Sequence, residues 1–435
     1  MCNYICEWGM ISLKYNAILF DFDGTITESG LGITRSAAYA FEQLGLPVPS
    51  QAELDTFIGP PLITSFMKYG DMDEAAAREA TEIYRVRYRA VGWKENRVYP
   101  GVTPLLKALK KQGIYLAIAS AKPEFFVRQI AEYFGVAQYF DQIVGITFET
   151  THADKCDLIA AALPGNADLS RTAMVGDRLY DMEAGKKMGL TAIGVAYGYG
   201  SRAELESSGA DIICDTVDEL HELLLPGVEK EKGLFITFEG ADGCGKSTQL
   251  KLAEQYLSER GYETLVTREP GGCEISERIR EVVLDIRLKG MSSECEALLY
   301  AAARAEHVRQ VILPAVKNGK IVLCDRFLDS SFAYQACGRE LGNDFIRQIN
   351  APAMNAVPDR TLLFVGDRQV VLDRLRSGGS LDRIEVEKDE FFLRVYEAFE
   401  QIHRAEPQRV HRIDSNRSIE EIAADVRAEM DALLC

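Results

Sequence analysis

Short apolar runs alternate with longer stretches of helical periodicity along most of this chain. Tyr15–Phe22, Tyr115–Ser120, Ala173–Val175, Leu234–Phe238, Glu263–Thr267, Ile321–Cys324 and Thr361–Val365 read as buried strands. Helical periods follow them: Lys155 onward (Leu158, Ile159, Ala162), Lys246 onward (Leu250, Leu252, Ala253, Leu257), Ile275–Leu284, Glu294–Leu313 and Gln369–Leu375. Repeated strand-then-helix order predicts an α/β chain with two doubly wound parallel-sheet domains. Between the first two strands the pattern is helical only. Gly32–Leu44, Gln51–Ile58, Leu62–Tyr69 and Asp73–Val91 are separated by Pro47, Pro49, Pro60-Pro61 and Gly70. These segments predict a helical cap over about 27–97, in which Phe57 and Tyr69 read equally as core or as substrate-facing.

Pro226–Gly233 mixes Pro, Gly and alternating charge without apolar anchors, which predicts a linker. The expected organisation is an extension over 1–13, a first domain over 14–226, a linker over 227–232 and a second domain over 233–435. At 435 residues, 47% hydrophobic and 26% charged, the chain is long enough for two such cores. A net charge of −17 argues against a nucleic-acid polymer as partner but not against nucleotides, which need only a few local cations. Ten cysteines without a C-x-x-C pair suggest reduced thiols and a cytoplasmic location, neither a disulfide frame nor a zinc site. No apolar run approaches the roughly 18 residues of a membrane span, and Met1–Ser12 lacks the pattern of a signal peptide.

The strongest chemical signal is Gly240-Ala241-Asp242-Gly243-Cys244-Gly245-Lys246-Ser247-Thr248, a G-x-x-x-x-G-K-[ST] loop with a strand before it and a helix after it. Glycines let backbone N–H groups fold around phosphate oxygens, and the helix N-terminus adds its positive end. Lys246 is placed to reach the β- and γ-phosphates of a nucleoside triphosphate, and Ser247 to ligate Mg²⁺. A second signal is Asp21-Phe22-Asp23-Gly24-Thr25, where strand alternation aims Asp21 and Asp23 to one side at a strand's carboxyl end. Such a pair suits a metal-assisted nucleophile and its acid–base partner, although a plain D-x-D-G turn or a calcium-loop fragment has the same letters.

Ser120 ends a strand, Lys155 opens a helix, and Gly176-Asp177-Arg178-Leu179-Tyr180-Asp181 sets two acids four apart after a third strand. With Asp21 and Asp23 these are, in order, the four motifs of the haloacid dehalogenase-like phosphatases, which the chain resembles from about Lys14 to Leu225. Tyr99-Pro100-Gly101, Lys122-Pro123-Glu124 and Ala196-Tyr197-Gly198-Tyr199-Gly200-Ser201 look like the phosphoglycolate phosphatase and 5′-nucleotidase branch. The resemblance implies Asp21 as nucleophile, forming an aspartyl-phosphate, and Asp23 as general acid and base. It implies Mg²⁺ held by Asp21, the Asp23 carbonyl and Asp177, supported by Asp181, with Ser120 and Lys155 on the phosphoryl group. Lys122 is either a further phosphate ligand or a solvated residue at a helix start.

From Gly233 to about the C-terminus the chain resembles thymidylate kinase. The resemblance rests on Arg268-Glu269-Pro270-Gly271-Gly272, Leu299-Tyr300-Ala301-Ala302-Ala303-Arg304, Asp325–Gln335 and Leu381-Asp382-Arg383-Ile384-Glu385. It implies dTMP as acceptor and ATP as donor. Arg268 and Arg326 would clamp the acceptor phosphate, with Ser330 close by. Tyr300, where the family usually has Phe, would stack on the base, or be an ordinary core aromatic. Arg304 and Gln335 would read base edges, Tyr334 would crowd the sugar's 2′ position, and Asp242 would approach the 3′-hydroxyl. Asp325, and less convincingly Glu239, would organise Mg²⁺. Gly243 stands where an Arg would bring charge to the transition state, so that task would fall to Arg374, Arg376 or Arg383 of the lid. Tyr396 replaces an Arg common in the family. The expected partners are ATP, dTMP and an unidentified phosphomonoester, with no membrane; a homodimer is left open.

Overall fold

A computed structural model describes residues 13–147, 154–367, 383–384, 387 and 389–434. The expected helix Gln369–Leu375, Arg374, Arg376, Asp382, Glu385 and nearly all of the N-terminal extension lie outside the described residues. Contacts divide the chain into two compact units, 1–230 with 258–262, and 231–257 with 263–435.

The first unit is built on β1 (Ala17–Phe20), every residue of which is buried. Four consecutive buried positions suit a strand covered on both faces, as parallel sheets require. The cap helices follow as α1 (Gly30–Gln43), α2 (Gln51–Asp55), α3 (Leu62–Gly70) and α4 (Glu74–Ala90), within a few residues of the sequence reading. Local chemistry starts two of them: Ser50 and Glu53 form a capping box on α2, and Asp73 accepts from Ala76 N at 2.8 Å to open α4. Phe57 joins Phe41 and Phe66, with ring centroids 6.2 and 5.1 Å away, so Phe57 belongs to the cap's own core. A bridge between Thr27 and Val98 brings the two ends of the cap segment side by side. Then come α5 (Val102–Lys111), β2 (Tyr115–Pro123), α6 (Glu124–Tyr133), β3 (Gln142–Ile146), α7 (Lys155–Ala162), β4 (Thr172–Gly176), α8 (Leu179–Lys187), β5 (Thr191–Val195), α9 (Arg202–Ser207), β6 (Ile212–Cys214) and α10 (Val217–Leu224). The sheet order is β3-β2-β1-β4-β5-β6, all parallel, with Ala17 opposite both Tyr115 and Thr172. Because the chain winds away from β1 in both directions, a crevice opens at the carboxyl ends of β1 and β4.

The second unit starts with β7 (Phe235–Gly240), again wholly buried, and α11 (Lys246–Glu259). It continues through β8 (Thr264–Arg268), α12 (Glu274–Leu284), α13 (Ser293–His307), α14 (Leu313–Lys317), β9 (Ile321–Asp325), α15 (Leu328–Ser331), α16 (Asn343–Ile349) and β10 (Arg360–Val365). Helix Asp389–Ala405, β11 (Val410–Asp414) and helix Ile419–Leu434 complete it. Its parallel sheet has the order β11-β10-β7-β9-β8. The sequence predicts one helix over Glu294–Leu313, but a π-helical turn at Val308–Ile312 separates α13 from α14. Pro314 offers no N–H and crowds the preceding turn, and the widened register accommodates it. A second π turn, Phe332–Gly338, carries Tyr334 and Gln335. Among the described residues, no helix is long and apolar enough to cross a membrane.

Candidate functional sites, one in each unit

In the first unit the turn after β1 delivers Asp21 and Asp23, and the turn after β4 delivers Asp177. Gly24 sits at φ +87°, and a β-carbon there would lie 2.2 Å from the Asp177 carboxylate, so only glycine lets the two turns close together. Asp177 is fully buried; its oxygens accept from Thr25 Oγ1 at 3.2 Å and Tyr199 N at 2.8 Å. Asp181, in the first turn of α8, accepts from Arg178 N at 3.1 Å and pairs with Lys155 at 2.7 Å. The Lys155 ammonium also donates to Asp21 at 2.6 Å. Asp21, Asp177 and Asp181 each bring one oxygen to a common point, all within 4.8 Å of one another. Three carboxylates this close repel each other, and Lys155 pairs with only two of them, Asp21 and Asp181. Burial, then Asp181 and Asp23, push Asp21 up to about 6 against the pull of Lys155. Burial, then Asp21 and Asp181, raise Asp177 strongly. Burial alone would lower Lys155, but its two carboxylate partners more than reverse that.

Ser120 is buried near the end of β2, its hydroxyl accepting from Lys122 N at 3.3 Å. Lys122 is buried too. Its ammonium binds both Asp23 oxygens at 2.9 and 3.1 Å and lies 5.0 Å from the ring centre of Tyr88 on α4. The alternative of a solvated Lys122 is therefore wrong: β2 runs on to Pro123 and turns this side chain inward. Thr25, Tyr199 and Tyr88 had no individual role in the sequence reading. Thr25 and Tyr199 lie inside motifs it quoted; Tyr88 is one of several aromatics on an amphipathic helix, with no local mark.

In the second unit Gly240, Gly243 and Gly245 all take positive φ, folding the loop tightly ahead of α11. Lys246 is buried, its ammonium resting on the carbonyls of Gly240 at 3.1 Å and Ala241 at 2.8 Å. Ser247 donates to Asp325, at the end of β9, at 2.9 Å. An open cleft is lined by Asp242, Gly243 and Gly245–Thr248 of the loop, by Tyr334 and Gln335, and by Arg268, Tyr300, Arg304, Arg326 and Ser330. Gly240, Ala241 and Cys244 do not line that cleft. Cys244 is buried behind the loop, 3.9 Å from the Lys246 ammonium.

Arg326 has φ +68°, a conformation that a side chain with a β-carbon adopts at a cost and that clusters at functional positions. Its guanidinium donates to Asp242 at 2.6 Å and Ser330 at 3.1 Å. Burial would raise Asp242, but Arg326 and Lys246 hold it down to about 2. Tyr334 lies against Arg326, 5.0 Å from ring centre to guanidinium, and its buried hydroxyl has no hydrogen-bond partner. Arg268 pairs with Glu277 at 2.9 Å. Arg304 is almost wholly buried and donates to Glu269, Ser331, Asn350 and the Phe327 carbonyl. It reaches the cleft wall already committed to protein acceptors.

Two expectations need correction. Glu239 is fully buried and accepts from Phe327 N at 2.8 Å and Ser330 Oγ at 2.6 Å. Burial, then Asp329, push it up to about 7. It braces the segment after β9 and does not line the cleft, so Asp325 rather than Glu239 stands with Ser247. Arg383, expected on the lid, is buried and donates to the Val283 carbonyl at 2.9 Å and to Glu296 at 2.7 Å. Arg376 lies outside the described residues. Glu269 and Glu296 act as buried acceptor hubs that sequence reasoning missed. Arg304, which donates to Glu269, is 35 positions away, and Gln335, which donates to Glu296, is 39 away, so no local spacing marks either acid.

Residues 238–426 match the family model described as thymidylate kinase, and residues 18–195 match the one described as haloacid dehalogenase-like hydrolase. The chain is 48% identical over 202 residues to a thymidylate kinase of Symbiobacterium thermophilum, covering 46% of this chain and 94% of that protein. It is 46% identical over 205 residues to a thymidylate kinase of Pelotomaculum thermopropionicum, covering 47% and 95%. A crystal structure of a predicted phosphatase from Clostridium acetobutylicum is 43% identical, with 48% of this chain and 98% of that one covered and a TM-score of 0.46. Through its C-terminal half the chain belongs to the thymidylate kinase family, and it carries a haloacid dehalogenase-like hydrolase domain ahead of it.

Proposed function

We propose that the second unit transfers the γ-phosphoryl group of ATP to dTMP, and that the first hydrolyses a small phosphomonoester through Asp21. One observation supports the kinase reading: a single cleft is lined both by the phosphate loop and by Tyr300, Arg326 and Gln335, the residues proposed to take the acceptor. In that cleft Lys246 leaves the loop carbonyls to neutralise the transferring phosphoryl, and the loop N–H groups hold the donor phosphates. Arg326 and Arg268, which both line the cleft, clamp the acceptor phosphate. Tyr300 stacks on the base, Gln335 reads its edge, and Tyr334 fills the space a 2′-hydroxyl would need. Ser247 and Asp325, joined at 2.9 Å, form an oxygen donor pair that suits Mg²⁺. The lid arginine brought to the transition state would be Arg374 or Arg376, since Arg383 is occupied.

The crowded carboxylates Asp21, Asp177 and Asp181 fit a hard divalent cation equally well, since it relieves their repulsion. When bound there, Mg²⁺ supplies charge to offset the phosphoryl oxygens. Asp21 attacks phosphorus, Asp23 protonates the leaving oxygen, and Asp23 then takes a proton from the water that cleaves the aspartyl-phosphate. Ser120 and Lys155 hold the phosphoryl oxygens. A phosphatase that consumed dTMP would destroy the acceptor of the kinase on the same chain. The phosphatase site therefore discriminates against dTMP, through the cap, and takes a non-standard deoxynucleoside monophosphate or phosphoglycolate. The test presents the full chain with ATP, Mg²⁺ and dTMP, dCMP or UMP, and follows nucleoside diphosphate. We expect dTMP to be preferred over dCMP by powers of ten, because buried polar groups mismatched by a wrong base are costly, and over UMP because Tyr334 fills the space of a 2′-hydroxyl; equal kcat/KM for dTMP and dCMP would contradict the reading.

A further inference from the structure

Glu296 lies in the first turn of α13 and is 1% exposed. Its two oxygens collect an unusual set of donors. One accepts from Gln335 Nε2 at 3.0 Å. The other accepts from Arg339 Nη2 at 2.9 Å and from Arg383 Nη2 at 2.7 Å. Burial would raise this carboxyl, but hydrogen bonds from Arg339 and Gln335, and the Arg339 charge, hold it below the ordinary range. An ionised carboxylate only accepts.

That one-way chemistry fixes the amide of Gln335. A glutamine side chain presents NH₂ on one side and C=O on the other, and a free one turns over to suit its neighbour. Here the NH₂ must face Glu296, so the carbonyl oxygen takes the other direction, on a side chain that lines the cleft. A fixed acceptor at the base edge accepts from the N3–H of thymine or uracil. It opposes the bare N3 of cytosine, lone pair to lone pair. We propose that Glu296 is the positioning residue that sets acceptor-base specificity, by locking Gln335 as a hydrogen-bond acceptor; the proposal rests on the dTMP-kinase reading above. Arg339, which also donates to Glu387 at 2.6 Å, and Arg383 supply the positive charge that keeps Glu296 ionised in a buried place.

The experiment measures kcat/KM for dTMP and dCMP in the full chain and in Glu296→Gln, which has nearly the same shape but can both donate and accept. With a second amide opposite it, the Gln335 amide is free to turn. The dTMP-to-dCMP ratio is expected to fall by roughly 10- to 100-fold, the scale of one buried hydrogen bond made or opposed. Gln335→Leu should show a similar loss, and adding Glu296→Gln to it should change the ratio no further, since the first acts through the second. Glu296→Asp keeps the charge but draws the carboxylate back from Gln335; it gives the same fall should Glu296→Gln not fold. A ratio that stays at the wild-type value while both rates drop together would overturn the proposal and leave Glu296 a plain structural anchor. A wild-type chain that does not prefer dTMP would instead overturn the dTMP-kinase reading, before any variant is made.

Discussion

The two units place phosphate chemistry at the same location in the fold, the carboxyl ends of central parallel strands, yet fill it with opposite charge. At the end of β1 and β4, Asp21, Asp177 and Asp181 each bring an oxygen within 4.8 Å of the others, and Lys155 pairs with Asp21 and Asp181. At the end of β7 and β9 the loop presents backbone N–H groups and Lys246, and two of its neighbours along the cleft are Arg268 and Arg326. The difference follows the chemistry each site performs. A covalent phosphatase needs an anionic nucleophile beside an anionic ester, and needs a cation to make that tolerable. A kinase needs no protein nucleophile, only positive charge and alignment around two bound nucleotides. The same fold position therefore fixes where the chemistry happens and leaves its kind to a few side chains.

The largest expected effect that sharpens this contrast concerns Asp23. Asp23→Asn should slow alkyl phosphomonoester hydrolysis by roughly 10²- to 10⁴-fold, the usual size of general acid–base catalysis. An aryl ester such as p-nitrophenyl phosphate needs no proton on its leaving oxygen, so its first step should suffer far less. Phosphate release and the burst of nitrophenol distinguish the steps. Equal losses in bond cleavage for alkyl and aryl esters would show that Asp23, held at 2.9 Å by Lys122, is only part of an ion pair.

A smaller effect probes one of the carboxylates that the kinase unit buries. Glu239 holds its proton to about pH 7, against an ordinary value of 4.5. Between those values the folded chain keeps a proton that the unfolded chain gives up, so stability falls as pH rises through this window. Glu239→Gln is permanently neutral and escapes this loss. Thermal melts from pH 5 to 8 should show the variant gaining on wild type by at most on the order of 3 kcal/mol. A gap independent of pH would mean that the buried Glu239 is ionised throughout.

The sheets, the cap helices and the phosphate loop were legible because each depends on near neighbours in sequence: a four-residue buried run, a helical period, glycines at fixed offsets. Asp21, Asp177 and Lys246 were legible for the same reason, being fixed to strand or helix ends. Glu296 was not. In Ser292-Ser293-Glu294-Cys295-Glu296 it reads as one more acid opening a helix, and its donors come from 39, 43 and 87 residues away. Arg383 was misread for the mirror-image reason: a lid motif suggests an arginine for the transition state, while the partner that buries it is far upstream. The π turn at Val308–Ile312 escaped notice because its apolar spacing mimics an α-helix until Pro314 forces the register to widen.

The central claim is that two separate phosphoryl-transfer sites operate on one chain. The most direct test assays wild type, Asp21→Asn and Lys246→Ala in parallel, following dTDP formation from ATP and dTMP, and phosphate release from p-nitrophenyl phosphate. The account predicts a crossed result. Asp21→Asn should lose phosphate release by roughly four powers of ten or more and keep dTDP formation. Lys246→Ala should lose dTDP formation by roughly two to three powers of ten and keep phosphate release. Either variant losing both activities, or Lys246→Ala forming dTDP at the wild-type rate, would contradict it.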